Sequence, residues 1–481
     1  MKKSMKAVLS FAAIALLAGV VGCGGTGGEE CPECEECPGT TENVSDSGVK
    51  LSGKATNGGK VLNIWAWNYE FQSRFRSFYT KYVRTNADGS DTLSDGTTVK
   101  WTIHANDNNG YQIPLDEALK QQDNAAADDK IDMFLTEADY ILKYTASPYS
   151  LDVEKDIGLS QADLGEQYDY TKQIAESDGV LKGVSWQATP GLYAYRRDLA
   201  KKVFGFDDPN KVQAELSNWD KFNASAAKAK AAGYKMLSGY DDAFRVFSNN
   251  MDKPWVDANG KVSIDPQMKK WVDQTKTYVD SGYSGKTTLW SGDWGTDQGP
   301  KGNVLGFFYS TWGINFTLAG NSCADSSKPQ VPGNGLYGEY AVCEGPNAWY
   351  WGGTWMNACK GTDNQQQIYE IMRDLTCTRT IDESITRITQ DYTNHKTAMH
   401  GIATDATYGS TFLGGQNHIA LFEKSADKIN MKNMTAYDQG CNEKFQNAMH
   451  DYFAGTSTYV EALANFKQTL SALYTDLTYD F

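Results

Sequence analysis

An α/β fold in two domains is what this sequence predicts, on three observations. The chain has 481 residues, beyond the size at which one hydrophobic core usually keeps growing. Short apolar runs with strand character alternate with stretches of helical spacing. Several of those runs end in aromatic, amide and carboxylate side chains, and the carboxyl ends of strands are where open α/β sheets bind ligands.

The element that sets the pattern is VLNIWAWNYE, residues 61–70. Val61, Leu62 and Ile64 read as a buried strand, and Phe71, Phe75 and Phe78 follow at helical spacing. Between them stand Trp65, Trp67 and Asn68. Flat aromatic faces beside amides suit a sugar, whose ring faces are apolar and whose rim is hydroxyl; the same tryptophans could equally fill a core.

Before this strand the chain carries an address. Lys2, Lys3 and Lys6 precede an apolar segment, Val8 to Val21, too short for a secure membrane span. It ends Val20-Val21-Gly22-Cys23, which looks like a bacterial lipoprotein box. That resemblance implies a signal peptide cleaved before Cys23 and a lipid on its sulfur. Residues 24–59 are rich in Gly, Glu, Thr and Ser and read as a flexible tether. Cys31, Cys34 and Cys37 lie in it at CxxCxxC spacing. A fourth ligand is missing nearby, so oxidised or intermolecular thiols suit them better than a metal.

Past the first helix, Asn86 to Asp91 (NADGSD) lacks the spacing of a calcium loop and reads as a turn. A strand over Val99 to His104 ends in Asn106 and Asp107, with Tyr111 beyond. A helix is expected over Leu115 to Ala126. The strand Ile131 to Leu135 then opens onto Glu137, Asp139 and Tyr140. GVLKGVSWQATPGLYAY, residues 179–195, carries Trp186, Tyr193 and Tyr195 and is the expected crossing between domains.

In the second domain, helices are expected at Arg197 to Phe204, Trp219 to Ala232 and Pro266 to Tyr278. Asp257 to Val262 reads as a hairpin turn. Strands are expected near Lys235, at Val304 to Tyr309 and at Tyr337 to Val342. The first of these opens onto Asp241 and Asp242, and the second onto Trp312. Trp349, Trp351 and Trp355 sit in AWYWGGTWMNACKG, where Gly352 and Gly353 would let backbone approach a ligand. The carboxyl-terminal stretch Phe445 to Tyr474 has two apolar helical faces, best used in packing against its own domain.

Composition narrows the function. Basic residues number 45 and acidic 60, for a formal charge of −15, which argues against a broad nucleic-acid surface. Aromatic residues make up 12% of the chain, with 13 Trp and 27 Tyr, more aromatic surface than a plain scaffold needs. The histidines form no HExxH helix, and no GxSxG elbow is present. No phosphate loop is present either, and no cofactor or metal is expected.

In chain order, VLNIWAWNYEF, ID-F-TEADY, TPGLYAYRRDLAKKVFG, GYDDAFRVF, FFYSTWGINFTLAG and GGTWMNACKG resemble the extracellular solute-binding proteins of bacterial ABC importers. The branch is the carbohydrate-binding one that includes maltose-binding protein. The resemblance spans roughly residues 60–470. It implies a two-lobe periplasmic-binding-protein-like fold of type II, with a hinge and an interlobe cleft that closes on a sugar. The implied divisions are a leader over 1–22, lipidated Cys23 and tether over 23–59, and the first part of one lobe over 60–190. Mainly the other lobe, with crossover segments, comes next over 191–375, then a helical crossover and closing region over 376–481. Candidate ligand contacts are Trp65, Trp67, Asn68, Asp107, Glu137, Asp139, Trp186, Tyr193, Asp241, Asp242, Trp312, Trp349, Trp351 and Trp355.

The resemblance further implies an exported, non-enzymatic lipoprotein, with acyl chains such as palmitate on Cys23. It would act as a monomer at the outer face of the bacterial cell membrane and deliver a neutral sugar or oligosaccharide to ABC permease subunits. Two other readings stay open. A secreted glycoside hydrolase could use Glu137 and Asp242 as its carboxylate pair. A surface adhesin or scaffold would explain the anchor and tether but not the strand-end pattern. The cysteines add a further departure from the better-known members. Export permits disulfides, and Cys323 with Cys343 or Cys377 with Cys441 are conceivable pairs. The long segment Cys377 to Asn417 has no assigned place.

Overall fold

Val61–Ala66 forms the middle strand of a seven-stranded sheet in the computed structural model, which describes residues 56–106 and 109–481. Its alternating burial explains the position: Leu62, Ile64 and Ala66 are sealed in the core while their neighbours are half-buried. It pairs in parallel with Thr98–Ile103 on one side and Met133–Glu137 on the other. The three strands therefore end at one edge, where Trp67, His104 and Glu137 stand. Outward lie the antiparallel strands Asp91–Leu93 and Tyr82–Thr85, joined by the turn that the NADGSD stretch predicts. On the other flank Thr354–Ala358 runs antiparallel between Met133–Glu137 and Val184–Ser185. The chain is thus back in the first lobe by Thr354.

The second lobe is built on Gly191–Arg196, with Gly306–Ser310 and Tyr340–Cys343 antiparallel on either side. Leu237–Gly239 and Ser284–Thr287 pair in parallel and join this sheet through a bridge between Lys235 and Val304. Both faces of the central strand are buried, and its side chains divide by the two-residue strand period. Leu192 and Ala194 enter the core that continues into the first lobe, whereas Tyr193 and Tyr195 enter a separate core. Helices Trp219–Ala231, Pro266–Ser281, Asp438–Ala454 and Tyr459–Leu473 close that second core. The last two were expected as one helical stretch. The break is written in the sequence, because Thr458 and Glu461 form a reciprocal capping box that starts a new helix.

Three strand-like segments cross between the lobes and hydrogen-bond to one another. The Gly191 amide donates to the Trp349 carbonyl at 2.7 Å, and the Trp351 amide donates to the Thr189 carbonyl at 3.1 Å. On the other side the Ala188 amide donates to the Tyr392 carbonyl and the Asn394 amide to the Trp186 carbonyl. This third segment gives the Cys377 to Asn417 stretch its place. Helix Arg379–Thr389 packs on the first-lobe helix Glu70–Phe78 and residues 391–394 join the crossing; just past the stretch, helix Ile419–Ala426 reaches the Gly191–Arg196 strand. The segment extends the hinge.

Several expectations change in detail. The helix expected over Leu115 to Ala126 ends early, as Gln112–Lys120. Both ends of the Gln122 side-chain amide bond the Ile131 backbone, which turns the chain into the next strand. The end of the expected tether is stitched to the first lobe, with the Thr56 and Gly59 amides donating to the carbonyls of Thr362 and Asp363. Among the described residues the cysteines are Cys323, Cys343, Cys359, Cys377 and Cys441, and all are free. Neither conceivable disulfide forms. Cys343 and Cys441 point into the second core, and the Cys323 thiol contacts the Ala319 carbonyl. Cys23, Cys31, Cys34, Cys37 and Asp107 lie outside the described residues. No described helix is long and apolar enough to cross a membrane.

Candidate functional site

The strand ends of the two lobes meet at the crossing segments. Gly352 and Gly353 both have positive φ, +74° and +116°, a conformation that a side chain would strain. A β-carbon on Gly352 would lie 3.2 Å from Trp312 Nε1 and 3.5 Å from Glu137 Oε1. The glycine pair thus carries the backbone between a second-lobe tryptophan and a first-lobe carboxylate. Trp312 Nε1 donates to the Trp351 carbonyl at 2.9 Å, which fixes its indole at the mouth of the crossing. The Trp312 and Trp351 rings meet edge to face at 5.1 Å, and both are half-buried, leaving open ring surface.

Across from these rings, the strand Met133–Glu137 delivers Glu137 and Asp139. Glu137 Oε2 accepts the Asp139 amide at 2.8 Å, a tight turn that fixes both carboxyls at the strand end. Burial first, and the Asp139 charge second, push the Glu137 carboxyl up to about 8, so it is mainly protonated at neutral pH and able to donate as well as accept. Asp139 forms a two-pronged ion pair with Arg245, at 2.6 and 2.5 Å. Arg245 comes from the second-lobe helix Phe244–Ser248, so this pair ties the lobes together. Its guanidinium also lies 5.9 Å from the centre of the Trp351 ring. Behind it is a polar cavity of about 190 Å³ lined by Asp139, Arg245, Ser248, Asn433 and Asp438, among others. A second tie joins the lobes where Gln112 Nε2 donates to Gln439 Oε1 at 2.6 Å.

The expected site residues divide into two groups. Trp65, Trp67, Asn68, Glu137, Asp139, Trp312 and Trp351 stand at the facing edges. Trp67 is half-buried and packs edge to face on Tyr111 and Tyr140; Trp65 lies 5.5 Å from His104, ring centre to ring centre. Asn68 is exposed and its side-chain oxygen accepts the Glu70 amide, opening the first helix. Asp241 is at the second-lobe strand end too, held by His450 Nε2 at 2.7 Å and by the Leu289 amide.

The others are built into the fold. Trp186, Tyr193, Trp349 and Trp355 are fully enclosed and offer no ring face. Tyr193 donates to the Met236 carbonyl and Trp355 Nε1 to the Thr171 carbonyl. Trp349 lies directly over Gly191, where a β-carbon would come within 2.0 Å of its ring, so only glycine fits beneath it. Asp242 spends its oxygens within its own lobe. It accepts from the Ser238 and Gly239 amides at 2.6 and 2.9 Å and from Trp294 Nε1 at 2.9 Å, knitting one strand end together.

Two edge residues are not legible as such in the sequence. Arg245 lies inside the GYDDAFRVF stretch, but nothing in sequence pairs it with Asp139. Trp290 precedes the capping Ser291 of helix Gly292–Asp297, and a tryptophan in such a turn is the only signal. It is 57% exposed and stacks against Trp312 with ring centres 6.2 Å apart.

No protein-family model matches the sequence, and neither does any curated protein. Solved structures do match. One is an extracellular solute-binding protein of family 1, at TM-score 0.64 and 16% identity, covering 86% of this chain and 100% of the other. Another is the ABC-transporter-associated binding protein of B. animalis subsp. lactis in complex with β-1,6-galactobiose, at TM-score 0.62 and 16% identity, covering 88% and 100%. A third is an ABC transporter solute-binding protein from Thermotoga lettingae bound with α-D-tagatose, at TM-score 0.61 and 12% identity, covering 86% and 100%.

The chain has the solute-binding-protein fold. It is the two-lobe α/β form of type II, and nearly the whole length of each similar protein is matched. In that fold the two facing edges are the walls of the interlobe cleft. Similarity at this level of identity carries the fold, and the chemistry has to be read from the residues on the walls.

Proposed function

We propose that this chain is an exported, non-enzymatic carbohydrate-binding protein that takes a neutral sugar in its interlobe cleft and hands it to an ABC importer. The observation that carries this reading is the meeting of the Trp312 and Trp351 rings with Glu137 across Gly352 and Gly353. Open ring faces beside groups that donate and accept match the apolar faces and hydroxyl rim of a sugar. The strongest cation at the edge, Arg245, is already matched by Asp139, which leaves no free positive charge aimed at an anion among the described edge residues. Similar solved structures hold β-1,6-galactobiose and α-D-tagatose, which agrees with this chemistry.

Several open faces, Trp67, Trp312 and Trp351, favour a ligand of more than one ring. Among the edge residues, Trp65, Asn68, Asp139 and Asp241 are the further contacts in this reading, with Asp107 at the end of its strand by position in the sequence. Cys23 carries the lipid, permease subunits and their ATPase receive the sugar, and the chain works as a monomer. The hydrolase reading is weaker, because Asp242, one of its two carboxylates, is committed to three donors of its own lobe.

Calorimetry with neutral, acidic and amino sugars, and short peptides as controls, tests the proposal. Neutral sugars should bind without products forming. Binding of peptides but no sugar, or hydrolysis of the sugar, would overturn it. The anchor has its own test: Cys23→Ser should release the protein from membranes, and undiminished retention would remove the lipid from the account.

A further inference from the structure

A second concavity adjoins the cleft wall on the second lobe. It is a groove of about 710 Å³ between helix Gly292–Asp297 and residues 314–326, with Trp290 at one end and Phe316 on its rim. Trp290 links it to the cleft, because its ring stacks on Trp312 at 17° between planes and lies 5.8 Å from the Trp351 ring. Three features mark this groove. Trp290 is an exposed non-glycine residue held at φ +67°, a strained conformation that persists where surrounding structure imposes it. Residues Ile314–Leu318 form a π-helical turn, an irregularity frequent at functional sites, and it carries Phe316 outward at 81% exposure. Thr317 lines the same groove, and its Oγ1, closed off beneath the surface, has no hydrogen-bond partner in the protein.

We propose that this groove continues the binding site, with Trp290 and Phe316 as stacking faces for the outer rings of a neutral oligosaccharide whose inner rings lie in the cleft. This rests on the carbohydrate reading of the cleft. Among the described residues no carboxylate lines the groove, and Lys301 is its one charged side chain, although the chain as a whole has a formal charge of −15. A cation finds no carboxylate there, while hydroxyls find the Asn321 and Ser291 side chains. The floor is kept low by small residues. A β-carbon on Gly292 would meet nothing within 4 Å, and one on Gly320 only the Gln330 side chain at 3.6 Å. Packing does not require glycine at these positions, and the space they leave is the width of the groove. The groove lies beside the crossing and not between the lobes, so a chain lying in it would not obstruct closure on the inner rings.

The test is calorimetry on the detergent-solubilised full chain with maltose, maltotetraose and maltohexaose, and with β-1,6-linked galacto-oligosaccharides of the same lengths. In the series that binds, four rings should bind roughly tenfold or more tighter than two, as one moderate hot spot would give. Gly292→Leu, which fills the groove, and Phe316→Ala, which removes an exposed face, should each abolish most of that gain. Both should leave two-ring binding within about twofold, since neither residue touches the cleft. Equal affinity for all lengths, or full retention of the gain in both variants, overturns the extension while leaving the carbohydrate reading standing. Absence of binding to either series at any length, in a chain shown folded by circular dichroism, overturns the extension for these neutral chains whichever sugar fills the cleft.

Discussion

The two walls of the cleft carry different chemistry. The first-lobe wall is formed by ends of parallel strands and offers carboxyls, Glu137 and Asp139, with Trp67 packed edgewise between Tyr111 and Tyr140. The second-lobe wall offers faces, Trp290, Trp312 and Trp351, and the cation Arg245. That cation is paired across the gap with Asp139, so the charges of the two walls match each other and the aromatic surface is left open. The contrast recurs inside one short stretch. Trp349, Trp351 and Trp355 lie within seven positions, yet the first and last are sealed in cores and only Trp351 is half-open. An aromatic cluster in sequence is thus a mixture of hinge packing and open ring surface.

The largest effects should separate those two kinds of tryptophan. Trp355→Ala removes a fully enclosed ring and should destabilise the protein by about 3–5 kcal/mol in urea unfolding, with sugar affinity of the folded fraction little changed. A stable variant that has lost binding would break the distinction. Asp139→Ala strands the Arg245 guanidinium between the lobes and should destabilise by about 3 kcal/mol, most of it recovered when Arg245 is replaced as well. A double variant no more stable than the single one would show that the pair does not join the walls. Trp312→Ala should do the reverse of Trp355→Ala: affinity falls by roughly 1–3 kcal/mol while stability stays near wild type, read by calorimetry and unfolding on the same sample.

A pH series sharpens the comparison further. Burial first and a neighbouring carboxylate second hold Glu137 up at about 8 and Glu70 up at about 7; burial holds Asp438 up at about 7. A carboxyl whose folded pKa is raised binds its proton more tightly in the folded state. The stability it contributes is full below its unfolded pKa, about 4, and is lost as pH rises through the folded value. The melting temperature should therefore fall from about pH 5 to pH 8, and Glu137→Gln should flatten the upper part of that slope. A slope unchanged in Glu137→Gln would remove this carboxyl as its source. The smallest effect expected is from reductant: the described cysteines are free, so dithiothreitol should leave the melting temperature unchanged, and a drop would reveal a bridge.

Much of the architecture was legible because it depends on local pattern. The Val61 strand, its following helix, the crossing at TPGLYAY and the strands ending at Glu137 and Trp312 all come from hydrophobic period and turn residues. The glycine pair beside the tryptophans was readable as backbone held close to something, and that something is Trp312 and Glu137. Cys377 to Asn417 could not be placed, because its partners, the Glu70–Phe78 helix and the crossing residues Trp186 and Ala188, lie far away in sequence.

What the sequence determined by itself is the order of strands and helices and the presence of polar and aromatic groups at strand ends, since each rests on neighbours within a few residues. Which of those groups face the cleft was decided by tertiary structure. Asp242 and Trp312 both come after a strand, but three donors of its own lobe enclose the first, whereas the second is left half-open beside Gly352. Burial and partner choice are set by segments far apart in the chain, as Arg245 and Asp139 show, and no local pattern encodes contacts at that separation.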